Sequence, residues 1–143
     1  MNKYKELKNK HQEEVNNFPM FFAFNEKQFL QGCSQLGIAP RRKDLLITIG
    51  QGGFILKTDC PKFEEMINRH ADEMQAAIDE DKTGEGFIKD MFRYELVNHE
   101  YSYTRDISDA IYALDLTIDD INKSEKLIKG LHLAVAEALE EVI

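Results

Sequence analysis

Every run that reads as β-strand lies between Phe18 and Lys57, and from Asp59 onward the apolar residues recur at helical spacing. That asymmetry predicts a small sheet covered by a helical layer. The fold class expected is therefore α+β, with three strands at 19–24, 45–49 and 54–57, about six helices, and a helix-rich C-terminal half. A chain of 143 residues suits one core. The expected organisation is a single α+β domain over residues 1–143.

Residues 3–16 read as an edge helix with the stripe Tyr4, Leu7, His11 and Val15. Phe18 to Phe24 is apolar on both alternating faces, which suits a strand covered on both sides. Asn25 with Gln28 forms a capping box and Gly37 a C-terminal stop, so residues 26–36 should be a helix burying Phe29, Leu30, Cys33 and Leu36. Gly50-Gln51-Gly52-Gly53 joins two β-type runs as a hairpin turn. A phosphate loop would lead into a helix, and here Phe54-Ile55-Leu56 follows.

Asp59 should cap a helix running to Ile78 that buries Phe63, Met66, Ile67, Met74 and Ile78, with His70 near the middle of that face. A fourth helix is expected over 87–101 and a shorter one over 106–115. Thr117 with Asp120 opens a further turn. Ser124 caps a final amphipathic helix whose Leu127, Ile128, Leu131, Val135, Ala138, Leu139 and Val142 share a face.

Charge is unevenly spread. Residues 1–71 carry 11 Lys and Arg against 8 Asp and Glu, whereas 72–143 carry 7 against 18. An acidic surface of that kind repels phosphate backbones, so direct nucleic-acid binding is not expected and a protein partner with a basic surface is. Residues 110–121 have a helix-turn-helix rhythm, but Asp119 and Asp120 would face the phosphates. No apolar run approaches a membrane span and no signal peptide is visible, so a cytoplasmic protein without membrane contact is expected. Cys33 and Cys60 lie far apart and should be reduced and packed.

On a helical wheel, Phe87, Ile88, Met91, Phe92, Tyr94 and Leu96 form a wide apolar arc with Glu95, Asn98 and His99 inside it. Together with His70 these polar groups should form a buried network, because buried polar atoms need partners. The sharper alternative makes His70, Glu95 and His99 ligands of a divalent metal or an acid/base set in a hydrolase-like enzyme. No metal signature of the H-E-x-x-H kind supports it, and no cofactor is expected. Asp79-x-Asp81-x-Thr83-Gly84 begins like an EF-hand loop but then departs, with Gly86 at the eighth position and Asp90 at the twelfth.

Four blocks carry a family resemblance: FPMFFAFNEKQF (18–29), GQGGFILKTD (50–59), DMFRYELVNHEY (90–101) and DAIYALDLT (109–117). The chain resembles a family of small uncharacterised proteins of Gram-positive bacteria and their phages and mobile elements. The resemblance implies a setting and no activity: an accessory protein that binds a host protein, as an inhibitor of a CRISPR or other defence nuclease would.

The function expected is accordingly a non-enzymatic, acidic protein-binding accessory protein. Its contact residues would be Asp79, Asp81, Glu85, Asp119 and Asp120, with Tyr101 and Tyr103 as exposed anchors. A self-associating structural protein, dimerising through its first or last helix, is the other alternative.

Overall fold

The computed structural model describes residues 1–140, so Val142 lies outside the described residues. The chain divides into two compact units, one of residues 13–71 and one of residues 1–12 together with 72 onward. The boundaries fall inside two continuous helices, α1 (Lys3–Asn17) and α3 (Cys60–Glu80).

In the unit of residues 13–71, β1 (Phe21–Phe22), β2 (Leu46–Ile49) and β3 (Gly53–Leu56) form an antiparallel sheet in the order β1-β3-β2. Phe21 pairs with Phe54, Phe22 with Gly53, and Leu46 with Leu56. Alternation therefore puts Phe21, Phe54, Leu46 and Leu56 on one face. There they meet Phe29, Cys33 and Leu36 of α2 (Glu26–Leu36). Phe21 stacks on Phe54 at 5.2 Å between centroids, and Phe29 meets both rings edge-on at 5.9 and 5.5 Å. Gly32 permits this approach, since a Cβ there would lie 2.0 Å from the Phe21 ring. At the helix start the Asn25 side chain accepts from the Gln28 N–H at 2.8 Å, and Gly37 closes the helix in the left-handed conformation.

The first strand is shorter than expected and is covered on one side only. Pro19 has no N–H to donate, and Gln28 Oε1 takes the Phe24 N–H at 2.7 Å, so pairing ends at the hydrogen bond from Ala23 N to Gly52 O. A three-stranded sheet with one covering helix cannot enclose both faces of an edge strand. Phe22 and Phe24 consequently stay 55 % and 74 % exposed, and Leu30 and Ile67 are also exposed.

In the other unit, α4 (Phe87–Asn98) packs chiefly on α8 (Glu125–Glu140). Ile88, Met91, Phe92 and Leu96 meet Leu127, Leu131, Ala134 and Ala138 in one core. That core is completed by Ala110 and Ile111 of α6 (Ser108–Ala113), Ile121 of α7 (Ile118–Asn122), and Tyr4 of α1. Gly130 brings the two long helices close, because a Cβ there would lie 2.5 Å from Ile88 Cγ2.

The helix expected over 87–101 stops at Asn98, where Glu100 takes a left-handed φ of 57° and the chain restarts as α5 (Tyr101–Thr104). That break, and α7 being a helix rather than a turn, raise the number from about six to eight α-helices among the described residues, beside two short 3-10 helices. Thr117 and Asp120 form the expected capping box. No helix among the described residues is long and apolar enough to cross a membrane.

Candidate functional site

α4 carries Glu95 on its buried side, 1 % exposed among apolar neighbours. Its partners come from α1, one turn apart. Tyr4 donates its hydroxyl to Glu95 Oε2 at 2.5 Å, and Lys8 Nζ reaches the same oxygen at 3.0 Å. The lysine is 44 % exposed and lies over the Tyr4 and Tyr94 rings, 5.7 and 5.1 Å from their centroids. Burial first, then the hydrogen bond to Glu95, push the Tyr4 phenol far above its ordinary value. A phenol held protonated donates and does not act as base or nucleophile, so the cluster is a clamp between α1 and α4. Glu95 Oε1 has no hydrogen-bond partner, although His99 Nε2 lies 3.6 Å away.

Of the expected network of His70, Glu95, Asn98 and His99, the unit of residues 1–12 and 72 onward brings Glu95 and His99 together and leaves Asn98 at the surface. His99 stays beside Glu95, at 30 % side-chain exposure. Asn98 is exposed, because the helix ends there and the apolar arc does not extend to it. His70 belongs to the unit of residues 13–71, where its Nε2 lies 3.3 Å from Glu14 Oε1. Among the described residues no three His, Cys, Asp or Glu side chains gather as a metal-holding group.

Glu14 is also gripped by Arg69 through both guanidinium nitrogens, Nη1 at 3.0 Å to Oε1 and Nη2 to Oε2. The guanidinium, with a smaller contribution from His70, holds the carboxyl down at about 2. A depressed carboxyl contributes stability above its ordinary value of about 4.5, and that contribution fades as pH falls toward about 2. Acid titration of unfolding should accordingly be shallower across that window in Glu14→Gln than in the parent chain. Parallel titrations would remove this role for the pair.

The expected contact residues separate into two classes. Asp81 turns inward: its Oδ1 accepts from Thr83 and Gly84 N–H, and its Oδ2 from Gly86 and Ile88 N–H, at 2.9–3.2 Å. Burial alone would raise its carboxyl, but the four donors together hold it below the usual range. With both oxygens engaged by amides, Asp81 organises the loop in place of a cation. Asp120 is exposed yet accepts from the Thr117 N–H at 2.9 Å, which lowers its carboxyl. Glu85 pairs with Lys129 at 2.8 Å, and Asp79 accepts from Gln75 at 3.0 Å.

Tyr101 is buried, 9 % exposed, because the break at Glu100 rotates it into the core. Tyr103 is 87 % exposed, and Tyr112, a residue outside the expected contact set, is 85 % exposed. Tyr112 sits on an α6 whose inward positions Ala110 and Ile111 were legible, so its outward direction could have been read from the wheel.

Residues 100–122 thus present Tyr103, Tyr112 and the half-exposed Ile118 among six carboxylates and one arginine. Asp109, Asp115 and Asp119 are exposed and form no ion pair among the described residues. Three non-glycine residues hold left-handed φ values here, Glu100 at 57°, Arg105 at 59° and Asp115 at 57°. Tyr103 also borders a cavity of about 490 Å³ floored by Leu96, Val97 and Ala138.

No curated protein and no solved structure matches the chain. One family pattern does, over residues 3–137, and it takes in both units, the Tyr4–Glu95 clamp and the acidic aromatic segment: the chain belongs to the family of unknown function DUF7659.

Proposed function

We propose that the chain is a non-enzymatic binding protein that docks residues 100–122 on a basic surface of another protein. The observation that carries this reading is the pair Tyr103 and Tyr112, 87 % and 85 % exposed in a segment with six carboxylates and one arginine. Large aromatics left in water amid one sign of charge suit an interface: the rings supply the desolvated anchors, and the carboxylates steer the encounter. The three left-handed residues support it too, since strain of that kind gathers where a segment is shaped for contact.

The partner we infer is a nucleic-acid-binding protein, whose channel offers the positive field such a segment matches. The family resemblance in the sequence, with its setting of phages and mobile elements, makes a host defence nuclease the first to test.

The experiment is affinity purification from host cells with the parent chain and with Tyr103→Ser/Tyr112→Ser/Asp119→Lys. Support requires a protein held by the parent, absent from the variant, and released by duplex DNA or by raised salt. Binding sets that are identical in the two chains, or indifferent to both competitors, would overturn the proposal.

A further inference from the structure

In the unit of residues 13–71 an open sheet edge lies beside a group of cations. The strand order β1-β3-β2 gives β2 a neighbouring strand on one side only. The Leu46 N–H turns away from β3 to the Lys43 carbonyl, so alternation aims the N–H and C=O of Thr48 toward the same outer side. Among the described residues no hydrogen bond from outside the sheet reaches them. Thr48 is exposed, and the apolar side chains of Leu45 and Ile47 beside it are 37 % and 38 % exposed.

Residues 38–63, which take in the whole hairpin and both its flanks, carry five Lys and Arg against two Asp and no Glu. Arg42 grips Asp44 through Nε at 3.0 Å and Nη2 at 3.1 Å. That grip first, with Lys57 as a further contributor, holds the Asp44 carboxyl below its ordinary value, which places Lys57 close to residues 41–44. The register agrees, since Lys57 follows Leu56, the partner of Leu46. The other aspartate, Asp59, lines a cavity with Lys62, Glu14 and Phe18. Arg41, Lys43 and Lys57 are left exposed, and they form no ion pair among the described residues.

Edge and charge together select one kind of occupant. Outward N–H and C=O groups are met by another extended peptide backbone, which continues the ladder. Nucleic acid would supply phosphates for the cations, but its backbone has no donor for an edge carbonyl. A second copy of the chain would bring three more cations to the same contact, the device by which a charged edge rejects its own kind. An acidic segment satisfies both demands: its backbone pairs with Thr48, its carboxylates reach Arg41, Lys43 and Lys57, and apolar residues between them cover Leu45 and Ile47. We infer that β2 takes up an extended acidic peptide segment of a partner protein as a fourth strand. The inference does not rest on the docking role of residues 100–122, since every residue it uses lies in the unit of residues 13–71.

The probe is a labelled hexapeptide of alternating glutamate and valine, titrated with the full chain at low salt and followed by fluorescence anisotropy. Binding is expected with a Kd between about 10 µM and about 1 mM, the range a contact of this size calls for. A hexapeptide of alternating glutamate and proline keeps the charge but loses every second N–H, and should bind at least about tenfold more weakly. Oligothymidylate and a lysine–valine hexapeptide should do the same. Amide exchange at Thr48 should slow when the glutamate–valine peptide is bound. Arg41→Glu/Lys43→Glu should weaken that peptide about tenfold or more and, because both side chains are exposed, keep the parent's thermal transition. The inference is overturned by no binding up to about 1 mM, by equal binding of the proline peptide or of oligothymidylate, by unchanged exchange at Thr48, or by a charge-reversed variant that binds as the parent does.

Discussion

Glu95→Ala should lower the unfolding free energy by about 3 kcal/mol, with the fold's stability and not a reaction as the quantity lost. The substitution leaves the Tyr4 hydroxyl, on a residue 4 % exposed, without the acceptor it holds at 2.5 Å. It also opens a cavity beside Phe92 and Leu96, both fully enclosed. Lys8 limits the damage, since at 44 % exposure its ammonium can turn to water. Tyr4→Phe removes the donor but keeps the volume, so it should cost less, about 1–2 kcal/mol. The double variant should then be less damaging than the sum of the singles, because both break the same contact. Urea unfolding of the four proteins checks this. Additive losses, or a loss below about 1 kcal/mol for Glu95→Ala, would show that the clamp contributes little.

Gly84→Ala should be at least as severe, about 3–5 kcal/mol, for two reasons that act together. Gly84 has φ +92°, a backbone conformation that an L side chain resists. Its added Cβ would also stand 2.1 Å from the Lys126 carbonyl oxygen and 3.1 Å from Gly130 N. Those atoms belong to the backbone of α8 and cannot rotate aside, so the loop and the helix must part. Gly37→Ala separates the two causes. It shares a positive φ, +74°, but nothing lies within 4 Å of its Cβ, so the expected cost is only about 1 kcal/mol. Equal thermal shifts for the two variants would mean that the approach of the loop to α8 carries no weight.

The order of elements, the hairpin and both caps at Asn25 and Thr117 were legible in the sequence because each rests on local chemistry: a side-chain acceptor, a glycine, or an apolar period. The resemblance to an uncharacterised family likewise meets, in that coarse respect, a pattern of unknown function spanning residues 3–137. What the sequence hid depends on a break without punctuation. α4 stops at Asn98 and the chain then turns at Glu100, in the left-handed conformation, with no glycine or proline to mark the break. A wheel continued past the break turns Asn98 inward and Tyr101 outward, the reverse of what the structure places. Glu95 was read as buried and is, but its partners Tyr4 and Lys8 stand about ninety residues earlier, beyond any local pattern. The partner of His70, Glu14, was equally hidden, because periodicity reports depth on one helix and says nothing of the neighbour a side chain meets. Asp81 looked available because its spacing suggested a cation loop, yet four amides had the prior claim on its oxygens.

Glycine would relieve the backbone at 100, 105 and 115 by about 1 kcal/mol apiece. A chain shaped for thermal endurance alone would carry it there. Glu100, Arg105 and Asp115 keep their side chains against that gradient; under the docking role proposed for residues 100–122, thermostability and recognition would pull this stretch in opposite directions, and a hardened version of the protein would grip a partner less well.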